Sequence, residues 1–276
     1  MILEDVQSRE DTRGIALEQV GVSGIRYPLV VLDRAHAKQE TVGEFSLYVL
    51  LPATVKGAHM SRFVEVLTDH SGEVTMHTLP KILDDLRTRL GSDRAAVTVR
   101  FPYFVERAAP VTGARALMDY ECVFAAEGGD DDVAFSLTVR VPVTSVCPCS
   151  KAISDYGAHN QRGHITITLH SRDKDIATKE LVWIEELIEV AEQSASAPVL
   201  PLVKRPDERH LTMLAFDNPV FVEDMVRNVV ERLSDDPRVQ AYSVEAVNDE
   251  SIHNHAAFAR TSFRGRASSA IETNDA

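Results

Sequence analysis

Alternating apolar and polar positions mark most of the chain, and a three- and four-residue apolar spacing marks the rest. Glu44 to Leu51, rich in Phe, Tyr, Val and Leu and stopped by Pro52, predicts a strand. A basic connection, Lys56-Gly57-Ala58-His59-Met60-Ser61-Arg62, leads into a short predicted strand from Phe63 to Leu67. Leu79, Ile82, Leu83, Leu86 and Leu90 share one face of a helix, with Pro80 in its first turn and Gly91 at its C-terminal end. Ala95 to Arg107 and Ala114 to Ala126 read as long strands. Gly128-Gly129-Asp130-Asp131-Asp132 reads as a solvated hairpin tip, and Val133 to Val143 as a third long strand.

The second half repeats this grammar. Gly163 to His170 predicts a strand, and residues 178 to 193 a helix with Leu181, Ile184, Leu187, Ile188 and Ala191 on one face. Another helix opens at Asn218-Pro219, cap then first-turn proline, and turns Val222, Met225, Val226, Val229 and Leu233 inward. Val239 to Val247 and Ala256 to Phe263 close the half as strands. Hairpin-joined strands around helical crossovers predict an α+β fold with antiparallel sheets and helices on one face. The expected organisation is a flexible N-terminal arm (1–25), a first half (26–130), a second half carrying the chemical motifs (131–264) and a disordered tail (265–276). Long strands with an open edge invite assembly into a closed ring.

Length and charge narrow the function. The 276 residues allow one large or two small domains, and 44% hydrophobic with 26% charged residues suits a packed core. With Lys plus Arg at 29 and Asp plus Glu at 42, the net charge of −13 argues against general affinity for nucleic acid or anionic membrane. Any polyanionic small molecule must then be met by locally gathered cations. Three cysteines make no disulfide framework, which places the chain in a reducing cytoplasm. The start, Met1-Ile2-Leu3-Glu4-Asp5, lacks a signal peptide's basic and apolar regions. The best apolar run, Leu47 to Pro52, is far too short to span a bilayer.

Candidate chemistry is densest at Ser145-Val146-Cys147-Pro148-Cys149-Ser150-Lys151, followed by Gly157-Ala158-His159-Asn160-Gln161-Arg162-Gly163. Thiolate and imidazole suit Zn²⁺, Fe²⁺ and similar ions. Cys147 and Cys149 are too close for a relaxed disulfide or for regular joint ligation, which favours one as ligand and the other as acid, base or nucleophile. The plain reading is two packed cysteines at a strand end. His253 and His255 point to the same side of an extended stretch and can hold a metal or move protons near neutral pH; equally, they can simply face water. Lys204-Arg205-Pro206-Asp207-Glu208-Arg209-His210 reads as a charged loop, either a solvated linker or the source of a carboxylate ligand, Glu208. Glu223, in a first helical turn, ordinarily complements the helix dipole. Lys56 with Arg62, Lys151, Arg162, and Lys204 with Arg205 are basic groups that convergence would suit to phosphates. The remaining histidines carry no readable spacing.

Six motifs in order resemble one family. Lys-Gly-Ala-His-Met-Ser-Arg-Phe at 56–63, Cys-Pro-Cys-Ser-Lys at 147–151, Gly-Ala-His-Asn-Gln-Arg at 157–162, Lys-Arg-Pro-Asp-Glu at 204–208, Phe-Val-Glu-Asp at 221–224 and Glu-Ser-Ile-His-Asn-His at 250–255 together resemble the type IB GTP cyclohydrolases, from about Lys56 to Phe263. Family members often carry Thr where Ala58 stands. The resemblance implies the tunnelling fold, tandem ββααββ units, in a homotetramer with active sites at subunit interfaces. It implies hydrolysis of GTP at C8 to formate and 7,8-dihydroneopterin triphosphate, the first step toward folate, with a divalent metal ion (Fe²⁺, Mn²⁺ or Zn²⁺). By motif position, Cys147, His159 and Glu208 would hold the metal, and Cys149 would be a second essential thiol. His253 and His255 would handle protons and Glu223 would anchor the guanine. Lys56, His59, Ser61, Arg62, Lys151, Gln161, Arg162, Lys204 and Arg205 would bind the rest of the substrate. Two alternatives remain at this level: an NADPH-dependent nitrile reductase of the same fold with a cysteine nucleophile, and a non-catalytic purine- or pterin-binding module.

Overall fold

The computed structural model describes residues 5–7, 9–70, 74–75, 77–129, 132–171 and 181–264. The first half contains β1 (Leu17–Asp33), β2 (Ala37–Leu51), α1 (Met60–Asp69), α2 (Leu79–Leu90), β3 (Ala95–Ala108) and β4 (Arg115–Gly128). The second contains β5 (Val133–Val146), α3 (Pro148–Ile153), β6 (Asn160–Ser171), α4 (Ile184–Gln193), β7 (Ala197–Pro198), α5 (Arg205–Asp217), α6 (Val222–Ser234), β8 (Ala241–Asp249) and β9 (Ala256–Phe263). With α3, β7 and α5 as insertions, the order is ββααββ twice. The strands form one antiparallel sheet in the order β1-β2-β3-β4-β5-β6-β8-β9, with β7 paired to β5.

The strand period of two decides which face is covered. Val97, Val99, Phe101 and Tyr103 of β3, Val139, Val141 and Val143 of β5, Ile165 and Ile167 of β6, and Val244 and Ala246 of β8 all turn to the helix side. There they meet Leu79, Ile82, Leu83 and Leu86 of α2, Ile184, Leu187, Ile188 and Ala191 of α4, and Met225, Val226, Val229 and Leu233 of α6, in one continuous core. Each such Leu, Ile or Val contributes about 1.5–3 kcal/mol by leaving water. The other face is polar, as in the Arg100–Glu121–Arg140 cross-strand row. No helix among the described residues is long and apolar enough to cross a membrane.

Several expectations need correction. The first strand begins at Leu17, inside the stretch read as a flexible arm, because β1 pairs with β2 from Leu17↔Leu51 onward. Phe63 to Leu67 belongs to helix α1, not to a strand: Phe63, Val66 and Leu67 are its buried face, a spacing of three and four. The charged run at 204–210 is the start of α5, not a loop. Asn218 ends α5 instead of opening α6, its Nδ2 donating to the Ala195 carbonyl at 2.9 Å. Helix α6 is instead started by Asp224, whose carboxylate accepts the Phe221 N–H at 3.1 Å. The helix read from 178 begins at Ile184, and residues 178–180 lie outside the described residues, as do Asp130, Asp131 and the tail from Gly265.

Helix α4 also ties the two halves together. Glu185 accepts the Tyr103 hydroxyl at 2.6 Å and the Arg34 N–H at 2.9 Å. Glu192 pairs with Arg107, at the far end of β3. Burial, with Glu185 beside it, raises the Tyr103 pKa, so this phenol stays a neutral donor.

Candidate active site

The site is built where the ends of β5 and β8 meet the start of β6. Cys147 leaves β5 and caps α3, its Sγ accepting the Ser150 N–H at 3.4 Å, with Pro148 pre-set for the first helical turn. Gly157, at φ 62°, supplies a left-handed turn in the connection back to β6. That return brings His159 beside Cys147: the Cys147 N–H donates to the His159 carbonyl at 3.1 Å, and the His159 N–H to Ser150 Oγ at 3.2 Å. One residue pair of the expected metal set is thereby adjacent.

Gln161, buried at the start of β6, is the hub. Its Nε2 donates to both carboxylate oxygens of Glu250, each at 3.1 Å, and lies 3.3 Å from His159 Nδ1. Its Oε1 accepts the Ser145 hydroxyl at 3.1 Å, and Ser145 Oγ in turn accepts Asn248 Nδ2 at 3.0 Å. Ser251 Oγ lies 3.4 Å, and Glu250 Oε2 4.0 Å, from His159 Nδ1. These polar neighbours gather on the Nδ1 side of the imidazole.

The other expected residues sit around or away from this junction. Cys149 is exposed on α3. Lys151 donates to the Phe216 carbonyl with its ammonium 4.2 Å from the Phe216 ring centroid, fastening α3 to the end of α5. His253 and His255 are exposed in the β8–β9 connection with parallel rings, centroids 5.0 Å apart. Arg162 is exposed on β6, opposite Asp249. Lys204, Arg205 and Glu208 are exposed at the start of α5, and Glu223 in the first turn of α6. Lys56, His59, Ser61 and Arg62 lie in the first half, between β2 and the first turn of α1. Their contacts there run elsewhere: His59 Nε2 lies 3.2 Å from Asp5, and Arg62 donates to the Arg89 carbonyl at 2.8 Å.

The metal-binding expectation meets a partial fit. Cys147 and His159, neighbours through a backbone hydrogen bond, carry a soft and a borderline donor, a pair whose chemistry suits a divalent transition metal. Among the described residues, however, no group of three or more His, Cys, Asp or Glu is close enough to hold a metal ion. Glu208 is therefore not gathered with Cys147 and His159. The residue of that turn that faces inward is its neighbour Asp207, which accepts the Val111 and Thr112 N–H groups at 2.8 and 2.9 Å, the Thr112 hydroxyl at 2.6 Å and the Lys204 N–H at 3.0 Å. Burial works against the Asp207 charge, but the Thr112, Lys204 and Val111 donors outweigh it and hold the pKa well below the usual carboxylate range.

Sequence reasoning gave no role to Ser145, Asp207, Glu250 or Ser251, although each lies inside a motif it singled out, and none to Asn248. A signal existed for two of them: Ser145 and Asn248 are polar at strand positions whose parity otherwise carries Val141, Val143, Val244 and Ala246. An apolar cavity lies elsewhere, between Phe124, Phe135, Leu137, Trp183 and Val239, and none of the junction residues lines it.

The nine-strand sheet with helices on one face matches solved structures. Uricase from Arthrobacter globiformis aligns over 98% of this chain and 99% of its own, with TM-score 0.50 and 9% identity. Urate oxidase from Bacillus sp. TB-90 aligns over 90% of this chain and 100% of its own, with TM-score 0.51 and 9% identity. Such low identity speaks for the fold alone, and the fold is the α+β tunnelling fold. Residues 3–259 match the model of the family described as type I GTP cyclohydrolase folE2, and the chain belongs to that family. Among its relatives, the GTP cyclohydrolase FolE2 of Nitrosomonas eutropha is 49% identical over 258 residues, covering 93% of this chain and 94% of that protein. The GTP cyclohydrolase FolE2 of Methylococcus capsulatus is 49% identical over 259 residues, covering 94% of each.

Proposed function

We propose that this chain is a GTP cyclohydrolase that opens the purine of GTP at C8, releases formate and forms 7,8-dihydroneopterin triphosphate for folate synthesis. The observation that carries the reading is the junction of Cys147, His159, Gln161 and Glu250, drawn from three separated motifs in a chain of this family. C8 of a purine is a poor electrophile, so attack there needs an activated water and a proton at N7. Cys147 and His159 would hold a divalent metal (Fe²⁺, Mn²⁺ or Zn²⁺), and Glu208, exposed at the start of α5 and not gathered with them, would join as third donor only once the ion is bound. That ion, when bound, supplies Lewis acidity at neutral pH.

The chain's own residues do the rest. Gln161, Glu250 and Ser251 orient the His159 ring from its Nδ1 side. Cys149 stands next to the reacting centre as a second thiol. His253 and His255 deliver and remove protons during attack at C8 and the second hydration that frees formate. Glu223, exposed in this structure, recognises the N1–H and 2-amino edge of guanine, and excludes adenine because a carboxylate covered by a bound purine that offers it no donors is left unmatched. Lys56, His59, Ser61, Arg62, Lys151, Arg162, Lys204 and Arg205 bind the sugar and triphosphate against the overall negative field. Lys56 to Arg62 belong to a different half of the fold from the junction, which supports a homotetramer in which one subunit completes its neighbour's site. The acidic charge and sparse cysteines support a cytoplasmic enzyme that binds neither nucleic acid nor membrane.

The test is anaerobic incubation of the reduced protein with GTP and Mn²⁺ or Fe²⁺, assaying formate and, after oxidation and dephosphorylation, fluorescent neopterin. Equal yields of both, lost on chelation, are expected. Cys147→Ala and His159→Ala should each lower turnover by at least about 100-fold. Full turnover in either folded variant would refute the assignment. Metal-independent oxidation of NADPH by a nitrile would favour the reductase alternative, and tight purine binding without turnover the binding module.

A further inference from the structure

Gln161 reaches the site from within the core, and what holds it there is unusual for the core. Ser145, Gln161 and Asn248 are 1%, 6% and 3% exposed, at strand positions of inward parity where their neighbours are valines, isoleucines and alanines. Three apolar side chains would pack there without needing partners. The polar chain instead begins at Asn248 and ends on His159 and Glu250.

Its direction is determined by hydrogen count. Asn248 Nδ2 can only donate, and it donates to Ser145 Oγ at 3.0 Å. The single Ser145 hydrogen then goes to Gln161 Oε1 at 3.1 Å. With Oε1 committed as acceptor, the Gln161 NH₂ must face Glu250, at 3.1 Å from both oxygens, and His159 Nδ1 at 3.3 Å. The other end of the Asn248 amide is packed against the sheet. Its Oδ1 is buried with no hydrogen-bond partner, and it lies only 2.1 Å from where a Cβ on Gly163 would stand. Gly163 is thus the notch that admits Asn248.

We infer that Asn248 and Ser145 are positioning residues, the start of a buried one-way relay that sets the Gln161 amide and through it the orientation of His159 and Glu250. This rests on the proposed cyclohydrolase reading of the junction and deepens it. Ser145→Ala removes the link. Asn248→Asp reverses the first link, because an ionised Asp cannot donate; the Ser145 hydrogen turns to Asp, and Gln161 Oε1 is left without the donor that fixes the far end of its amide. Ser145→Thr keeps the hydroxyl and serves as the rescue.

The experiment measures kcat and KM for GTP together with Mn²⁺ binding by the protein alone, followed through the electron paramagnetic resonance of free Mn²⁺. Ser145→Ala and Asn248→Asp should each lower kcat by roughly 10- to 100-fold, weaken Mn²⁺ binding by about tenfold, and change KM less than about twofold, with Ser145→Thr near wild type. Unchanged kcat and Mn²⁺ affinity in both variants, whatever happens to their melting temperature, overturns the relay and leaves these residues as packing. If Ser145→Ala does not fold, Asn248→Asp alone decides, by the same readings. A wild-type chain that turns over no GTP, yet whose Mn²⁺ affinity still falls in these variants, retains the relay and defeats the function.

Discussion

Removing the Arg107 guanidinium isolates a buried carboxylate, and the cost can be worked from the surroundings of Glu192. The Arg107 and Glu192 side chains are 19% and 11% exposed, and the Tyr120 hydroxyl, 3.4 Å away, is the other group on the carboxylate. Burial raises the Glu192 pKa above its ordinary value even though Arg107 and Tyr120 pull it down, so desolvation already outweighs the pairing. In Arg107→Met the largest downward pull is gone and the penalty stands alone. Breaking a buried pair from one side destabilises by about 3–5 kcal/mol. With a urea slope of about 3 kcal/mol/M, the unfolding midpoint at pH 8 should fall by at least about 1 M.

The pH dependence has a definite sign. A carboxyl whose folded pKa lies above its unfolded one binds protons better when folded. Its contribution is fully present below the unfolded pKa and is lost as pH rises through the folded pKa. Arg107→Met should therefore lie closer to wild type at pH 5 than at pH 8. Replacing the pair with apolar side chains, Arg107→Met with Glu192→Leu, should recover most of the loss, because buried ion pairs gain little over packed hydrocarbon. A single variant with an unchanged midpoint at pH 8, or one that worsens toward pH 5, would refute the argument. The same result would show that α4 is not fastened to β3 by this pair.

Two further outcomes follow from the geometry. Asp207→Asn replaces an acceptor of four donors with a group that must donate, so the start of α5 should loosen and the melting temperature fall by several degrees. Because the Asp207 pKa is depressed, its stabilisation is present above the unfolded pKa and is lost as pH falls through the folded one; thermal melts from pH 7 to pH 3 should show a shallower acid decline in the variant. Gly163→Ala drives a methyl against Asn248 Oδ1 at 2.1 Å and the Val247 carbonyl at 2.8 Å, and should cost about 1–3 kcal/mol in urea unfolding while displacing the Asn248 side chain.

Local pattern carried much of this molecule. The leucine spacing of α2 with Gly91 after it, the alternation in β3, β4 and β5, and the motifs holding Cys147 and His159 are all readable along the chain. Each is decided within a few residues, by helix or strand period or by donor chemistry. Helix α1 escaped because Phe63 to Leu67 is too short for its period to outweigh a strand reading. Helix α5 escaped because it buries little besides Asp207 and Ala215, so it has scarcely any apolar stripe to see. What tertiary structure alone decided is which polar residues meet. Gln161 touches Ser145 because β5 pairs with β6 at Ser145↔Gln161, and Asn248 reaches over Gly163 because β6 pairs with β8 at Gly163↔Asn248. A slip of one residue would turn those side chains to the opposite face. Register depends on the packing of the whole sheet against its helices, so no window of sequence contains it.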